Sequence, residues 1–87
     1  MYKVVKRDGS IVDFNIHKIS KAIEQAFDSV DVNSDADVID FLSLKVTADF
    51  QAKVEDEKIS VEDIQDSVER VLSKSGYSDV AKSYILY

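Results

Sequence analysis

The chain has 87 residues, 45% of them apolar and 32% charged, with two glycines, no proline, no cysteine and a net charge of −6. This is the composition of one globular domain near the smallest size at which a single core suffices, and it excludes disulfide scaffolds, zinc–thiolate centres, thiol nucleophiles and low-complexity chains. No run approaches the roughly 18 consecutive apolar residues of a membrane span, and the opening MYKVVK lacks the apolar stretch of a signal peptide, so the expectation is a cytoplasmic domain with no membrane partner.

The charge is unevenly spread. Residues 1–21 carry five basic side chains (Lys3, Lys6, Arg7, Lys18, Lys21) against two acidic ones (Asp8, Asp13), a local net of +3, while the remainder holds 6 basic and 15 acidic, a net of −9. Nucleic acid is not an expected partner, because backbone binding needs a broad basic face. A small basic focus on an acidic body suits a compact anion, such as the phosphates of a nucleotide.

In chain order, YKVVK and IVDF are β-prone runs around RDGS, and Asp8-Gly9 is a strong hairpin signal. A two-residue turn there pairs Val5 with Val12, Lys6 with Ile11 and Arg7 with Ser10 in a hairpin over residues 2–14. From Asn15 the period changes. Ile16, Ile19, Ile23, Ala26, Phe27 and Val30 mark an amphipathic helix over 16–29 with Asn15 as N-cap. A second helix runs from Ser34 or Asp35 to about Ala52, with Val38, Leu42, Val46 and Phe50 on its inner side and an ordinary outer side. EKIS suits a short third strand beside the hairpin. Ser60 then caps a third helix with Val61, Ile64, Val68, Val71 and Leu72 inward, ended by Gly76. A last helix runs from Ser78 to the end of the chain in mid-pattern, which suggests a domain belonging to a longer protein. The fold class is α+β: a four-helix bundle capped by an N-terminal hairpin.

Lys18 and Lys21 fall in the first turns of the first helix, where the macrodipole disfavours positive charge and invites an anion. Lys6 and Arg7 lie in the preceding hairpin, and Phe14, Ile16 and Ile19 offer apolar surface for a purine. Spacing alone fits exposed lysines and core apolars as well. Asp31, Asp35, Asp37 and Asp40 lack the glycine and bidentate glutamate of a calcium loop, so no metal site is assigned. His17 has no triad partner at a telling spacing, and Tyr77, Tyr84 and Tyr87 read as core and contact surface.

VVKRDGSIVDFNIHKISKAI, followed after a variable middle by ISVEDIQDSVERVLSKSGYSDVAKSYILY, resembles the ATP-cone, a regulatory nucleotide-binding domain at the N-terminus of many ribonucleotide reductases. The likeness covers almost the whole chain. The closing motif and the Met1 start directly before the hairpin are most similar to the cone of anaerobic ribonucleoside-triphosphate reductases. The resemblance implies that Val5, Lys6 and Arg7 cradle base and phosphates, Asn15 holds the adenosine side, and Lys18 and Lys21 hold the triphosphate. Phe14, Ile19 and Ile64 then floor the pocket, while Val61 and Gln65 approach the ribose, where ATP and dATP differ. The implied effectors are ATP or dATP with Mg2+ on the triphosphate, and the implied partners are a catalytic body and other cones. With no cysteine for a radical, the chain itself is not the catalytic part. Two rival readings stand beside this one: an interaction or oligomerisation module whose nucleotide site has decayed, and the same cone in a transcriptional repressor or another reductase class.

Overall fold

The computed structural model describes residues 2–86. Its elements are β1 (Lys3–Val5), β2 (Ile11–Asp13), α1 (Ile16–Ser29), α2 (Ala36–Asp49), a 3₁₀ turn (Phe50–Lys53), β3 (Lys58–Ser60), α3 (Val61–Lys74) and α4 (Ser78–Leu86). The helices close a ring, α1 on α2, α2 on α3, α3 on α4 and α4 back on α1. The strands form one mixed sheet in the order β2-β1-β3, with β2 antiparallel and β3 parallel to β1. This is the expected α+β fold, with the third strand present. Tyr87, expected in the last helix, lies outside the described residues.

The hairpin forms, but in a different register. β1 pairs Lys3 with Asp13, Val4 with Val12 and Val5 with Ile11, not Val5 with Val12 and Lys6 with Ile11. The loop has three residues rather than two: the Lys6 N–H donates to Ser10 O at 2.8 Å, and the Gly9 N–H donates to Lys6 O at 3.0 Å. Only Gly9 has positive φ (+87°), whereas a type I′ turn would force Asp8 there as well. Asp8 instead accepts from the Ser10 backbone N–H at 2.9 Å and the Ser10 hydroxyl at 2.6 Å, bonds that hold its carboxyl below the ordinary range. The sheet's tight two-residue turn occurs elsewhere, at Asp56-Glu57, where both residues take positive φ and Glu55 and Lys58 exchange backbone hydrogen bonds.

The register decides which side chains go inside. Val4 and Ile59, opposite each other on β1 and β3, are buried and join the core of Ile23, Phe27, Leu42, Val46, Phe50, Val68 and Leu72. α1 buries the expected stripe through Ile19, Ile23, Ala26 and Phe27. α2 buries Ile39, Leu42, Ser43 and Val46, a stripe rotated from the expected one because Val38 is only half-buried. It ends at Asp49, earlier than Ala52, and Phe50 enters the core from the 3₁₀ turn. Buried Ser43 is satisfied, donating to Ile39 O at 2.8 Å and meeting the Ser20 hydroxyl of α1 at 2.8 Å. Gly76 at φ +91° stops α3, with the Tyr77 N–H reaching back to Leu72 O at 2.9 Å.

Arg70 of α3 clamps the end of α2, donating through Nη2 to Asp49 at 2.6 Å and through Nε at 3.2 Å. These bonds hold the Asp49 carboxyl below its usual range against the opposing effect of burial. A carboxylate with a depressed folded-state pKa stabilises above its unfolded pKa and loses that contribution as pH falls through the folded one. Asp49→Asn should therefore lower Tm near neutrality, and the gap from the native chain should close below about pH 4. Thermal unfolding across pH checks this, and a gap independent of pH would remove the ion pair from the account.

Candidate functional site

One concave region joins the inner face of the hairpin to the first turns of α1 and α3. Its volume is about 290 Å³, at the lower edge of small-molecule sites. Strand alternation puts Val4, Lys6 and Val12 on this face and Val5 on the other. Phe14 enters from the β2–α1 link, Ile19 from α1, Val61 and Ile64 from α3, and Tyr84 from α4. Phe14 is fixed by an aromatic cluster, with its centroid 4.9 Å from Tyr2 and 5.7 Å from Phe50. The polar lining is Lys6, Asp13, Asn15 and Lys18.

The electrostatics of the two helix starts differ. Ser60 caps α3, accepting from the Asp63 N–H at 3.1 Å, and Glu62 and Asp63 answer the positive pole in its first turn. Asn15 caps α1, accepting from the His17 N–H at 2.9 Å, but no acidic residue follows in that first turn. Lys18 adds positive charge there instead. Asp13 does not neutralise it, because Lys3 pairs with Asp13 and holds its carboxyl below the ordinary range. Among the described residues, neither Lys6 nor Lys18 forms an ion pair. The site thus offers an apolar floor and two lysines outside any ion pair beside a helix N-terminus. Burial pushes the Tyr84 phenol pKa up, so the ring presents a neutral hydroxyl.

Of the residues singled out by the sequence, Lys6, Phe14, Asn15, Lys18, Ile19, Val61 and Ile64 come together here. The others lie apart. Lys21 lines a separate depression with His17, Ser20, Glu24, Ile39 and Asp40 between α1 and α2. Arg7 bends over α3, where its Nε donates to Glu62 at 3.0 Å and its Nη2 to Gln65 at 2.9 Å. Val5 pairs with Ile11 and Ser60 in the sheet. Val4, Val12, Asp13 and Tyr84 line the pocket without having been singled out for it. The signal for Tyr84 was its helical spacing from buried Val80 and Ala81, which turns it inward.

Fold and pocket together define a small α+β domain with an apolar cleft edged by Lys6 and Lys18. The chain belongs to the ATP cone domain family, which it matches over residues 2–87. It is 40% identical over 97% of its length to a ribonucleoside-diphosphate reductase subunit alpha of Chlamydia pneumoniae. It is 47% identical over 98% to a vitamin B12-dependent ribonucleoside-diphosphate reductase of Thermoplasma acidophilum. It is also 35% identical over 99% to an anaerobic ribonucleoside-triphosphate reductase of Haemophilus influenzae, so the expected likeness to that kind is present but at lower identity. The chain spans 9%, 11% and 12% of these three relatives.

Asn15 already serves α1 without any ligand. Asn15→Ala should cost about 1 kcal/mol of stability in the ligand-free chain, and Asn15→Asp should keep most of it. Urea unfolding reads this directly, and an unchanged midpoint for Asn15→Ala would mean that the cap bond contributes nothing.

Proposed function

We propose that this domain is an allosteric nucleotide-binding module within a ribonucleotide reductase, taking ATP or dATP, with Mg2+ carried on the triphosphate. The observation that carries the reading is the pairing of Lys6 and Lys18, neither in an ion pair among the described residues, with the apolar floor of Val4, Phe14, Ile19 and Ile64. The adenine ring takes the apolar floor, and the phosphates take the lysines and the positive pole of α1. Outer phosphates extend along α1 toward Lys21, one turn beyond Lys18. Val61, in the pocket, takes the ribose side, with Gln65 one turn further along α3 outside the lining. The effector acts on an attached catalytic body in the cytoplasm by binding one state of it more tightly than another, ATP favouring activity and dATP inhibition.

On the likeness of its closing motif, the parent is an anaerobic, triphosphate-reducing enzyme. The higher identities to the B12-dependent and subunit-alpha relatives support a second reading, the same module in a diphosphate reductase. Whether the longer enzyme reduces ribonucleoside triphosphates or diphosphates separates the two.

Calorimetry should give binding of ATP and dATP and much weaker binding of AMP. Lys18→Ala should weaken triphosphate binding about ten- to a hundredfold, the usual range for a hydrogen bond to a charged group, and leave ligand-free stability unchanged or slightly raised, since it removes a charge opposing the macrodipole. Equal affinities for the three nucleotides, or a destabilised variant with native affinity, would reject the phosphate site.

Arg7 reaches phosphate only by leaving Glu62 and Gln65. Glu62→Gln removes the competing carboxylate and should tighten ATP binding by up to about fivefold, the scale of an exposed ion pair. Weaker binding in that variant would assign Glu62 a supporting role instead.

A further inference from the structure

Asp8–Gly9 is the only link in the chain where an aspartate or asparagine precedes a glycine. Both residues are exposed at the tip of the β1–β2 loop, and no described residue lies within 4 Å of where a Cβ on Gly9 would stand. The Gly9 nitrogen is therefore unhindered, and the neighbouring carboxyl is within its own chain's reach. Such a link is open to an intramolecular reaction. The Gly9 nitrogen, on losing its proton, bonds to Asp8 Cγ while a carboxyl oxygen leaves as water, closing a succinimide ring. Water then reopens it. Opening at Cγ restores aspartate, whereas opening at the former backbone carbonyl leaves the chain running through Cγ as isoaspartate, with the α-carboxylate as the new side group. The water lost is regained, so mass is unchanged and no oxidant or reductant takes part.

The turn occupies both reacting groups elsewhere. The Gly9 N–H donates to Lys6 O at 3.0 Å, which ties up the proton the nitrogen must lose. The Asp8 carboxylate accepts from the Ser10 N–H at 2.9 Å and the Ser10 hydroxyl at 2.6 Å, a local bond two residues on that fixes where its oxygens point. A carboxyl oxygen leaves as water only from the protonated acid. The Ser10 hydroxyl first, and the Ser10 N–H after it, keep Asp8 ionised by holding its carboxyl below the ordinary range.

We propose that Asp8–Gly9 is an isoaspartate-forming site of this domain and that Ser10 restrains it, clasping the Asp8 carboxylate away from the Gly9 nitrogen. The product carries an extra backbone carbon in a loop whose size is set by the Lys6 N–H to Ser10 O bond of 2.8 Å. The modified turn cannot keep that bond, the Gly9–Lys6 bond and the Ser10 clasp together. The modification thus unties the hairpin beside Lys6, the residue that β1 carries into the pocket. The proposal rests on the turn alone and does not depend on the nucleotide reading.

The native chain, Ser10→Ala and Ser10→Thr are aged side by side in warm neutral buffer, with the native chain in guanidinium chloride as the unrestrained reference. Digestion by an endoproteinase that cuts before aspartate but not before isoaspartate, followed by mass spectrometry, reads conversion at residue 8. The folded native chain should convert at about a tenth of the unfolded rate or less, because the turn must first open. Ser10→Ala should convert about two- to tenfold faster than the native chain, the scale of one hydrogen bond, and Ser10→Thr, which keeps the hydroxyl, should stay near the native rate. Ser10 is exposed, so both variants should retain native circular dichroism. Deamidation at exposed Asn33, in the α1–α2 link, changes mass and serves as an internal clock that should run equally in all three folded chains. A native chain that converts as fast folded as unfolded, or a Ser10→Ala chain that ages at the native rate, overturns the proposal. So does a Ser10→Thr chain as fast as Ser10→Ala, or an equal acceleration at Asn33, which would mark a general loosening of the fold.

Discussion

The pairing of Val4 on both sides governs the rest of the structure. As the middle residue of the central strand, it stands between Val12 on β2 and Ile59 on β3 and is itself buried. Because strand side chains alternate, fixing Val4 inward also turns Lys6 to the inner face and Val5 to the outer one. The same register sets Ser60 beside Val5 at the point where Ser60 caps α3, so strand pairing and helix initiation share one residue. A slip of one position would expose Val4 and Ile59, turn Lys6 away from the pocket and misplace the start of α3.

The second constraint is the contrast between the two helix starts at the pocket. α3 begins with serine, glutamate and aspartate, the ordinary complement to a helix N-terminus. α1 begins with asparagine, histidine and lysine and gains nothing from its own first turn beyond the cap. An arrangement unfavourable to the empty fold, placed beside an apolar cleft and a second free lysine, is what a site for an anion needs. Arg7, drawn toward Glu62 and Gln65 on α3, stands apart from the pocket lining.

Much of this was legible in the sequence. The periodicity of Ile19, Ile23 and Phe27, the caps at Asn15 and Ser60 and the stop at Gly76 are local signals that tertiary packing reinforces. The hairpin register was not legible, because Asp-Gly suits two turns: the side chain of Asp8 could bond Ser10 only by keeping Asp8 out of the left-handed region. The tight turn at Asp56-Glu57 carries no glycine or asparagine, so local chemistry gave no sign of it. The stripe on α2 was drawn through Val38, yet Ile39 is the buried residue, and the rotation left Phe41 and Leu44 outside. In the candidate site, the residues of α1 and α3 were readable from spacing and family likeness. Tyr84 and Val4 needed the fold, because their place depends on how α4 closes the helix ring and on which way β1 alternates.

The central claim is that the inner hairpin face and the first turns of α1 and α3 form the effector site. Recording backbone amide shifts of the chain while adding magnesium and ATP tests it most directly. The account predicts saturable shifts at Lys6, Asn15, Lys18 and Val61, with the amides of Phe41 to Lys45 unmoved at a fixed, low protein concentration. Saturable shifts confined to the α1–α2 depression around Lys21 and Asp40, or none at millimolar nucleotide, would contradict it.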